Sequence, residues 1–246
     1  MALYLVATPI GNLSDITLRA KEILEKSPIL AAEDTRTARR LLQALSIPLE
    51  GRDLISYGDH NERGIVQKLG DALKSGTDIA VLSEGGTPLV SDPGYRLVQA
   101  AIEMNVPVVP IPGACAAIAA LSASGLPIHG FIFRGFLSKK PGARRRVLES
   151  LKAREETLIF YESPHRMEIL LEDSIMIFGP ERAVCLAREL TKLHECFWRG
   201  SLKDVLAKWQ AELAKGPHGA ARGECTLLIA GTQGDEAEES EPEEEK

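Results

Sequence analysis

Cysteine, histidine and aromatic residues are scarce in this 246-residue chain, which has four Cys, five His and only 5% Phe, Trp and Tyr. Cys115, Cys185, Cys196 and Cys225 show no CxxC spacing and no secretory context. That excludes a disulfide framework, and reduced, mostly buried thiols in a cytoplasmic protein are the expectation. Met1-Ala2-Leu3-Tyr4 runs straight into an apolar stretch without a basic n-region, and no apolar run approaches membrane length. Neither an export signal nor a membrane span is expected. Glycine is not arranged as GxGxxG after the first apolar run: Thr8-Pro9-Ile10-Gly11-Asn12 has one glycine, a poor match to a dinucleotide pyrophosphate loop.

What remains is an ordinary globular composition, 44% hydrophobic and 26% charged, long enough for one large α/β domain or two smaller ones. The net charge of -6 is misleading, because residues 235–246 hold eight acids and one lysine, a net -7 that leaves the rest at +1. On a near-neutral body, local basic patches matter more than the total.

The organising stretch is 79–103, IAVLSEGGTPLVSDPGYRLVQAAIE. Ile79-Ala80-Val81-Leu82 is short and wholly apolar, as a strand buried on both faces requires. Ser83-Glu84-Gly85-Gly86-Thr87-Pro88 breaks it. Ser91-Asp92-Pro93-Gly94 then reads as a capped helix start with proline in the first turn, and Leu97, Val98, Ala101 and Ile102 follow at helical spacing. A strand, a glycine-bearing loop and a helix form the unit that holds a polar small molecule across the carboxyl ends of a parallel sheet.

Other apolar runs repeat this unit. Leu3–Ala7 is the first strand, and Ser14 or Asp15 caps a helix carrying Ile16, Ala20, Ile23 and Leu24. Pro28–Ala32 ends at Glu33-Asp34-Thr35-Arg36, where α/β proteins keep working residues, although capping a helix over Thr37–Leu45 is the plainer role of Asp34. Leu54–Tyr57 precedes Asp59, His60 and Asn61, of which Asp59 or Asn61 would cap the next helix and His60 would lie in a loop. Val106–Pro110 is a fifth strand, followed by a glycine turn and small residues to Ser124, with Cys115 as a packing residue lining a pocket.

Gly125-Leu126-Pro127 reads as a hinge, giving domains over 1–125 and 126–231 and a disordered acidic tail over 232–246. Phe131–Phe133 is a strand. Residues 134–146 then hold Arg134, Lys139, Lys140, Arg144, Arg145 and Arg146 with no acid. Interleaved with Gly135, Phe136, Pro141 and Gly142, they read as a mobile basic loop gripping a phosphate backbone. Thr157–Tyr161 ends in Glu162-Ser163-Pro164-His165-Arg166, again polar groups at a strand end. Ala183–Ala187 runs into residues 188–195, whose alternation reads as an exposed strand edge. Ser201 caps a helix bearing Val205, Leu206, Trp209 and Leu213, and Thr226–Ala230 is the last strand.

The ordered motifs TPIGNLSDIT (8–17), AAEDTR (31–36), HNE (60–62), GTPLVSDPGY (86–95), PIPGACAAIAALSASGLP (110–127), GFLSKK (135–140), FYESPHR (160–166), ARELTKLHE (187–195) and RGECTLLIAG (222–231) resemble the bacterial ribosomal RNA small-subunit methyltransferase I family of the tetrapyrrole-methylase superfamily. The resemblance implies a two-domain α/β fold, a mainly parallel sheet in the N-terminal domain and a mixed sheet in the C-terminal one. It implies 2′-O-methylation of a cytidine in 16S ribosomal RNA near the decoding site, with S-adenosyl-L-methionine as cofactor, in a cytoplasmic homodimer. The cofactor site would fall on Pro9, Glu84, Gly85, Gly86, Thr87, Pro88, Cys115, Ala116 and Tyr161. Asp34, Glu162, Glu189 and Lys192 would be the catalytic candidates, and Arg36, Arg134, Lys139, Lys140, Arg144, Arg145 and Arg146 would hold RNA. Two departures stand out. Ser83-Glu84-Gly85 replaces the family's usual Ser-Asp-Ala, so the extra methylene of Glu84 shifts its carboxylate, and a short acidic tail replaces the helical extension of many members. A precorrin-like methyltransferase would share fold and cofactor, but its GAGPGD-like first loop differs from ATPIGN (7–12), and a tetrapyrrole needs no basic run. A non-catalytic ribosome-binding factor is the reading from a different class.

Overall fold

The computed structural model describes residues 1–58, 62–216, 219 and 222–232; the readings at Asp59, His60 and Asn61 and the acidic tail lie outside them. The chain divides into two compact units, Met1–Ala119 with Thr191–Leu193, and Ala120–Leu190 with the chain from His194 onward.

In the first unit, five four-residue strands, β1 (Leu3–Val6), β2 (Ile29–Ala32), β3 (Asp53–Ser56), β4 (Ile79–Leu82) and β5 (Val108–Ile111), form a parallel sheet in the order β3-β2-β4-β1-β5. Alternate residues are apolar on both sides. Val6, Leu30, Ala32, Ala80 and Leu82 join one core with α1 (Leu18–Lys26) and α2 (Thr35–Ala44). Leu3, Ala31, Ile79 and Val81 join another with α3 (Glu62–Lys74) and α4 (Tyr95–Glu103). Right-handed crossovers dictate this arrangement. β1 to β2 to β3 steps one way along the sheet, β3 to β4 to β5 steps back, and the helices therefore cover opposite faces. Every β4 side chain is at most 4% exposed. Burying each of its Ile, Val and Leu contributes about 1.5–3 kcal/mol, which fixes this strand at the sheet's centre.

The division between units falls within α5 (Ala116–Ser122). The second unit holds β6 (Phe131–Phe136), α6 (Pro141–Ser150), β7 (Thr157–Glu162), α7 (Pro164–Phe178), β8 (Ala183–Arg188), β9 (Cys196–Ser201), α8 (Leu202–Ala214) and β10 (Cys225–Ile229). Its mixed sheet runs β6-β7-β10-β8-β9, with only β6 and β7 parallel. Leu158, Phe160, Leu186 and Leu227 face α6–α8, where Leu148, Met167, Leu170 and Trp209 complete the core. The helix starts follow local chemistry. Ser163 accepts from His165 N–H before Pro164, and Ser201 and Asp204 form a reciprocal capping box.

Several readings need correction. Ser14 and Asp15 lie in a 3-10 turn over Leu13–Asp15, and Thr17 caps α1 by accepting from Ala20 N–H. Neither Ser91 nor Asp92 caps α4: Gly94 does, without a side-chain bond. Leu89 and Ser91 both have positive φ, so the loop turns irregularly, and a Cβ on Gly94 would lie 2.8 Å from the Leu89 side chain. The supposed basic loop is mostly regular structure: β6 ends at Phe136, a short connection over 137–140 carries Lys139 and Lys140, and α6 follows with Pro141 in its first turn. Residues 189–195 are not a strand edge, since Glu189 and Thr191 adopt φ of 49° and 64° and interrupt the alternation; β9 forms that edge instead.

Candidate functional site

The connections leaving β1 and β4 run in opposite directions along the sheet, so the gap above these two neighbouring strands is where an open α/β sheet accepts a ligand. The loops there are tied together. Thr8 and Gly86 exchange two main-chain hydrogen bonds of 2.9 Å. Thr8 Oγ1 lies 3.2 Å from Ser83 Oγ, which donates to Gly86 O at 2.7 Å, and Thr87 Oγ1 donates to Ala114 O at 3.1 Å. The loops after β1, β4 and β5 thus meet at residues 8–9, 85–88 and 113–116. Gly86 has φ +94°, a conformation that a side chain would strain, and a Cβ on Gly113 would lie 2.9 Å from Ala7 Cβ. The resulting rim is small and largely main chain: Gly85 is exposed, and Pro9, Thr87, Cys115 and Ala116 are half-buried.

Beside it, the ends of β2 and β4 are acidic. Asp34 caps α2, accepting from Arg36 N–H at 2.7 Å and pairing with Arg36 Nη2 at 2.8 Å. These bonds from Arg36 hold its carboxyl down to about 2, too weak a base to take a proton readily. Glu33 and Asp92 line a shallow recess with Tyr57, Val81, Leu82, Ser83, Pro88 and Pro93. Burial, together with the Glu33 and Glu84 carboxylates, pushes Asp92 up to about 6. The sequence did not single out Asp92 as lining this recess because SDPG resembles a helix cap. The usable signal was that the same motif follows the glycine loop of the central strand.

In the second unit, Tyr161 is half-buried near the end of β7, and Phe133 and Phe136 pack on it with ring centroids at 4.9 and 5.7 Å. Glu162 is buried. One carboxylate oxygen accepts from Ser163 N–H at 2.8 Å, and the other pairs with Arg166, which also donates to Leu137 O. Burial outweighs these bonds and raises its pKa. Glu189 accepts from Glu224 N–H at 2.9 Å and donates its own N–H to Glu224 O, which clips the turn after β8 to the start of β10. Lys192 falls in Thr191–Leu193, the segment grouped with the first unit, where Thr191 Oγ1 accepts from Asn12 N–H at 3.0 Å. Of the four catalytic candidates, Asp34 and Lys192 belong to the first unit, Glu162 and Glu189 to the second.

The basic residues separate as well. Arg36, Arg134, Lys139, Lys140, Arg145 and Arg146 are exposed. Arg144 is 4% exposed, its guanidinium within 2.6 Å of Asp173, and so it is unavailable to a phosphate. Helical spacing turned this residue inward, onto α7. Arg145 also binds Asp173, at 2.7 Å, with half its side chain in solvent. All four cysteines are free; Cys185 and Cys225 are buried, and burial pushes the Cys225 thiol up to about 12. Among the described residues, no helix is long and apolar enough to cross a membrane, and no group of three or more His, Cys, Asp or Glu could hold a metal ion.

Comparison with known proteins agrees with this architecture. A sequence profile of the tetrapyrrole (corrin/porphyrin) methylases matches residues 2–206. Ribosomal RNA small subunit methyltransferase I of Micromonospora olivasterospora is 47% identical over 96% of this chain and 72% of its own length. The protein of that name from Synechocystis sp. is 49% identical over 93% of this chain and 78% of its own. The crystal structure of the methyltransferase CobJ superposes with a TM-score of 0.69 over 94% of both chains at 18% identity, a likeness of fold. With its parallel first sheet, mixed second sheet and glycine loops over β1 and β4, this chain belongs to the tetrapyrrole methylase family and, within it, to the ribosomal RNA small subunit methyltransferase I family.

Proposed function

We propose that this protein transfers a methyl group from S-adenosyl-L-methionine to the 2′-oxygen of a cytidine in the 16S RNA of the small ribosomal subunit. The observation that carries the reading is the 47–49% identity, over nearly the whole chain, to enzymes named for the small-subunit RNA. The first unit suits the cofactor. A sulfonium is a cation, and the rim over β1 and β4 lies beside Glu33, Glu84 and Asp92, which favour positive and repel phosphate charge. Gly85, Gly86, Ala114 and Ala116 contribute only small side chains to the rim around the opening. When bound, the cofactor supplies an electrophilic methyl group.

The chain's own residues orient and deprotonate. Holding the reacting groups in line can supply about 7–11 kcal/mol of a barrier, and a positioned base a further 10²–10⁴-fold. Asp92, at about 6, has a proton affinity nearer neutral pH than Asp34, at about 2, so we assign it the base role over Asp34. Lys192 would stabilise the developing alkoxide. Glu162 and Glu189 would position their surroundings through the bonds described above. Arg36, Arg134, Lys139, Lys140, Arg145 and Arg146 would hold RNA phosphates, and contact with the 2′-hydroxyl would exclude DNA. A cytoplasmic homodimer is part of the same proposal.

The test is mass spectrometry of ribonucleosides from small subunits incubated with the protein and isotope-labelled S-adenosyl-L-methionine. Ribose-methylated cytidine is expected. Label on a base, or none at all, would overturn the reading.

A further inference from the structure

Half of the chain's phenylalanines, three of six, lie on the six-residue strand β6, at Phe131, Phe133 and Phe136. The strand is an edge strand, and its register with β7 slips between Phe133 and Gly135. Gly135 takes φ 58° at this bulge. The slip has a chemical consequence. In an unbroken strand Phe133 and Phe136 would point to opposite faces, because side chains alternate. With one residue inserted, Phe133 pairs opposite Ile159 and Phe136 opposite Tyr161, so Phe133, Tyr161 and Phe136 share the face turned away from the helix-side core.

Tyr161 lies between the two phenylalanine rings, edge-on to Phe133 and tilted against Phe136. Phe136 remains 59% exposed and Phe131 43% exposed. Burial in the core would have stabilised these side chains better than exposure, so two exposed phenylalanines on one edge, beside the half-buried Phe133, call for a ligand. The neighbouring charge says which kind. Residues 131–148 contain no acid, and Arg134, Lys139 and Lys140 flank Phe136 in exposed positions. Aromatic faces interleaved with cations bind single-stranded nucleic acid, where bases stack on the rings and cations meet the phosphates.

We propose that Phe136, buttressed by Tyr161, is a stacking platform for an unpaired base of the RNA substrate, with Arg134, Lys139 and Lys140 on the adjoining phosphates. This rests on the RNA reading above and adds to it a demand for a single-stranded, splayed nucleotide. Among the described residues the strand pairs β7 through its backbone on one side only, but the charges favour RNA over a further protein strand as its occupant.

The probe is a short single-stranded RNA carrying 2-aminopurine, titrated into the full chain without cofactor. Stacking quenches its fluorescence. Wild type and Phe136→Trp should quench and bind alike. Phe136→Leu, which keeps an apolar side chain but removes the ring, should bind roughly tenfold more weakly with little quenching, an unchanged salt slope and unchanged affinity for S-adenosylhomocysteine. Because Phe136 is exposed, its variants should unfold at the wild-type temperature. Equal binding and quenching by Phe136→Leu would overturn the platform. So would a change in sedimentation without a change in RNA binding, which would mark the patch as a contact between copies. Loss of methylation activity in all forms, with stacking intact, would instead sink the enzymatic reading alone.

Discussion

The two sheets of this chain solve opposite electrostatic problems. The first is parallel, buried on both faces, and ends in acids at Glu33, Asp34, Glu84 and Asp92. The second is mixed, and its edge strand, the connection after it and the following helix carry Arg134, Lys139, Lys140, Arg145 and Arg146. An acidic rim suits a sulfonium and a basic edge suits a phosphate backbone, so a chain whose residues outside the acidic tail sum to +1 can favour a cation in one unit and a polyanion in the other. The total charge conceals this division.

The largest expected effect comes from Arg144, the residue of the basic run that faces inward. Asp173→Asn removes the charge pairing buried Arg144 and half-exposed Arg145, and should destabilise the second unit by about 3–5 kcal/mol in urea unfolding. A loss below about 1 kcal/mol would mean that Arg144 can turn outward, and the division between inward and outward cations would fail.

Asp92 tests the acidic rim. Its pKa is raised from the usual carboxylate value to about 6, so the folded protein holds a proton that the unfolded chain releases near pH 4. Stability from this group is therefore greatest below pH 4, falls as pH rises from 4 to 6, and stays low above that. Asp92→Asn should stabilise the protein at pH 7.5 by on the order of 1–3 kcal/mol, and by little at pH 4. The same variant should lower turnover by roughly 10²–10⁴-fold and remove the acid limb near pH 6 from the rate profile. Full activity with an intact limb would return the base role to another residue.

A smaller effect is expected at the basic edge. Replacing Lys139 and Lys140 by alanine should weaken RNA binding alike across sequences and reduce the slope of log affinity against log salt by about 0.7 per lost contact. An unchanged slope would remove both from the interface. Smallest of all, Arg36→Ala should leave the melting temperature almost unmoved, since its pair with Asp34 is exposed. Asp34 would then lose the partner that holds its pKa low, and NMR titration should show that pKa rising.

Much of the fold was legible because burial on both faces writes itself as unbroken apolar runs. Ile79–Leu82 and Ala183–Ala187 were readable for that reason, and the caps Asp34 and Ser201 stood where local chemistry requires them. Other features depended on partners distant in sequence. Arg144 looked like its exposed neighbours until helix α6 aimed it at Asp173, 29 residues away. The raised pKa of Asp92 depends on burial and then on Glu33, which is remote in sequence and brought near by the parallel register. The bulge at Gly135 changed which phenylalanines share a face, and simple alternation could not foresee it. Glu189 was legible as a polar residue at a strand end, but its bond to Glu224 requires the last strand to return beside β8.

The division of labour between the sheets is tested most directly by cross-titration of S-adenosylhomocysteine and single-stranded RNA into two variants by calorimetry. Gly85→Val places a side chain in the exposed opening over β1 and β4 and should abolish cofactor binding while sparing RNA affinity. Lys139→Glu with Lys140→Glu should do the reverse. If either variant lost both ligands together with its fold intact, or if the glycine variant bound the cofactor normally, the assignment of the two surfaces would be contradicted.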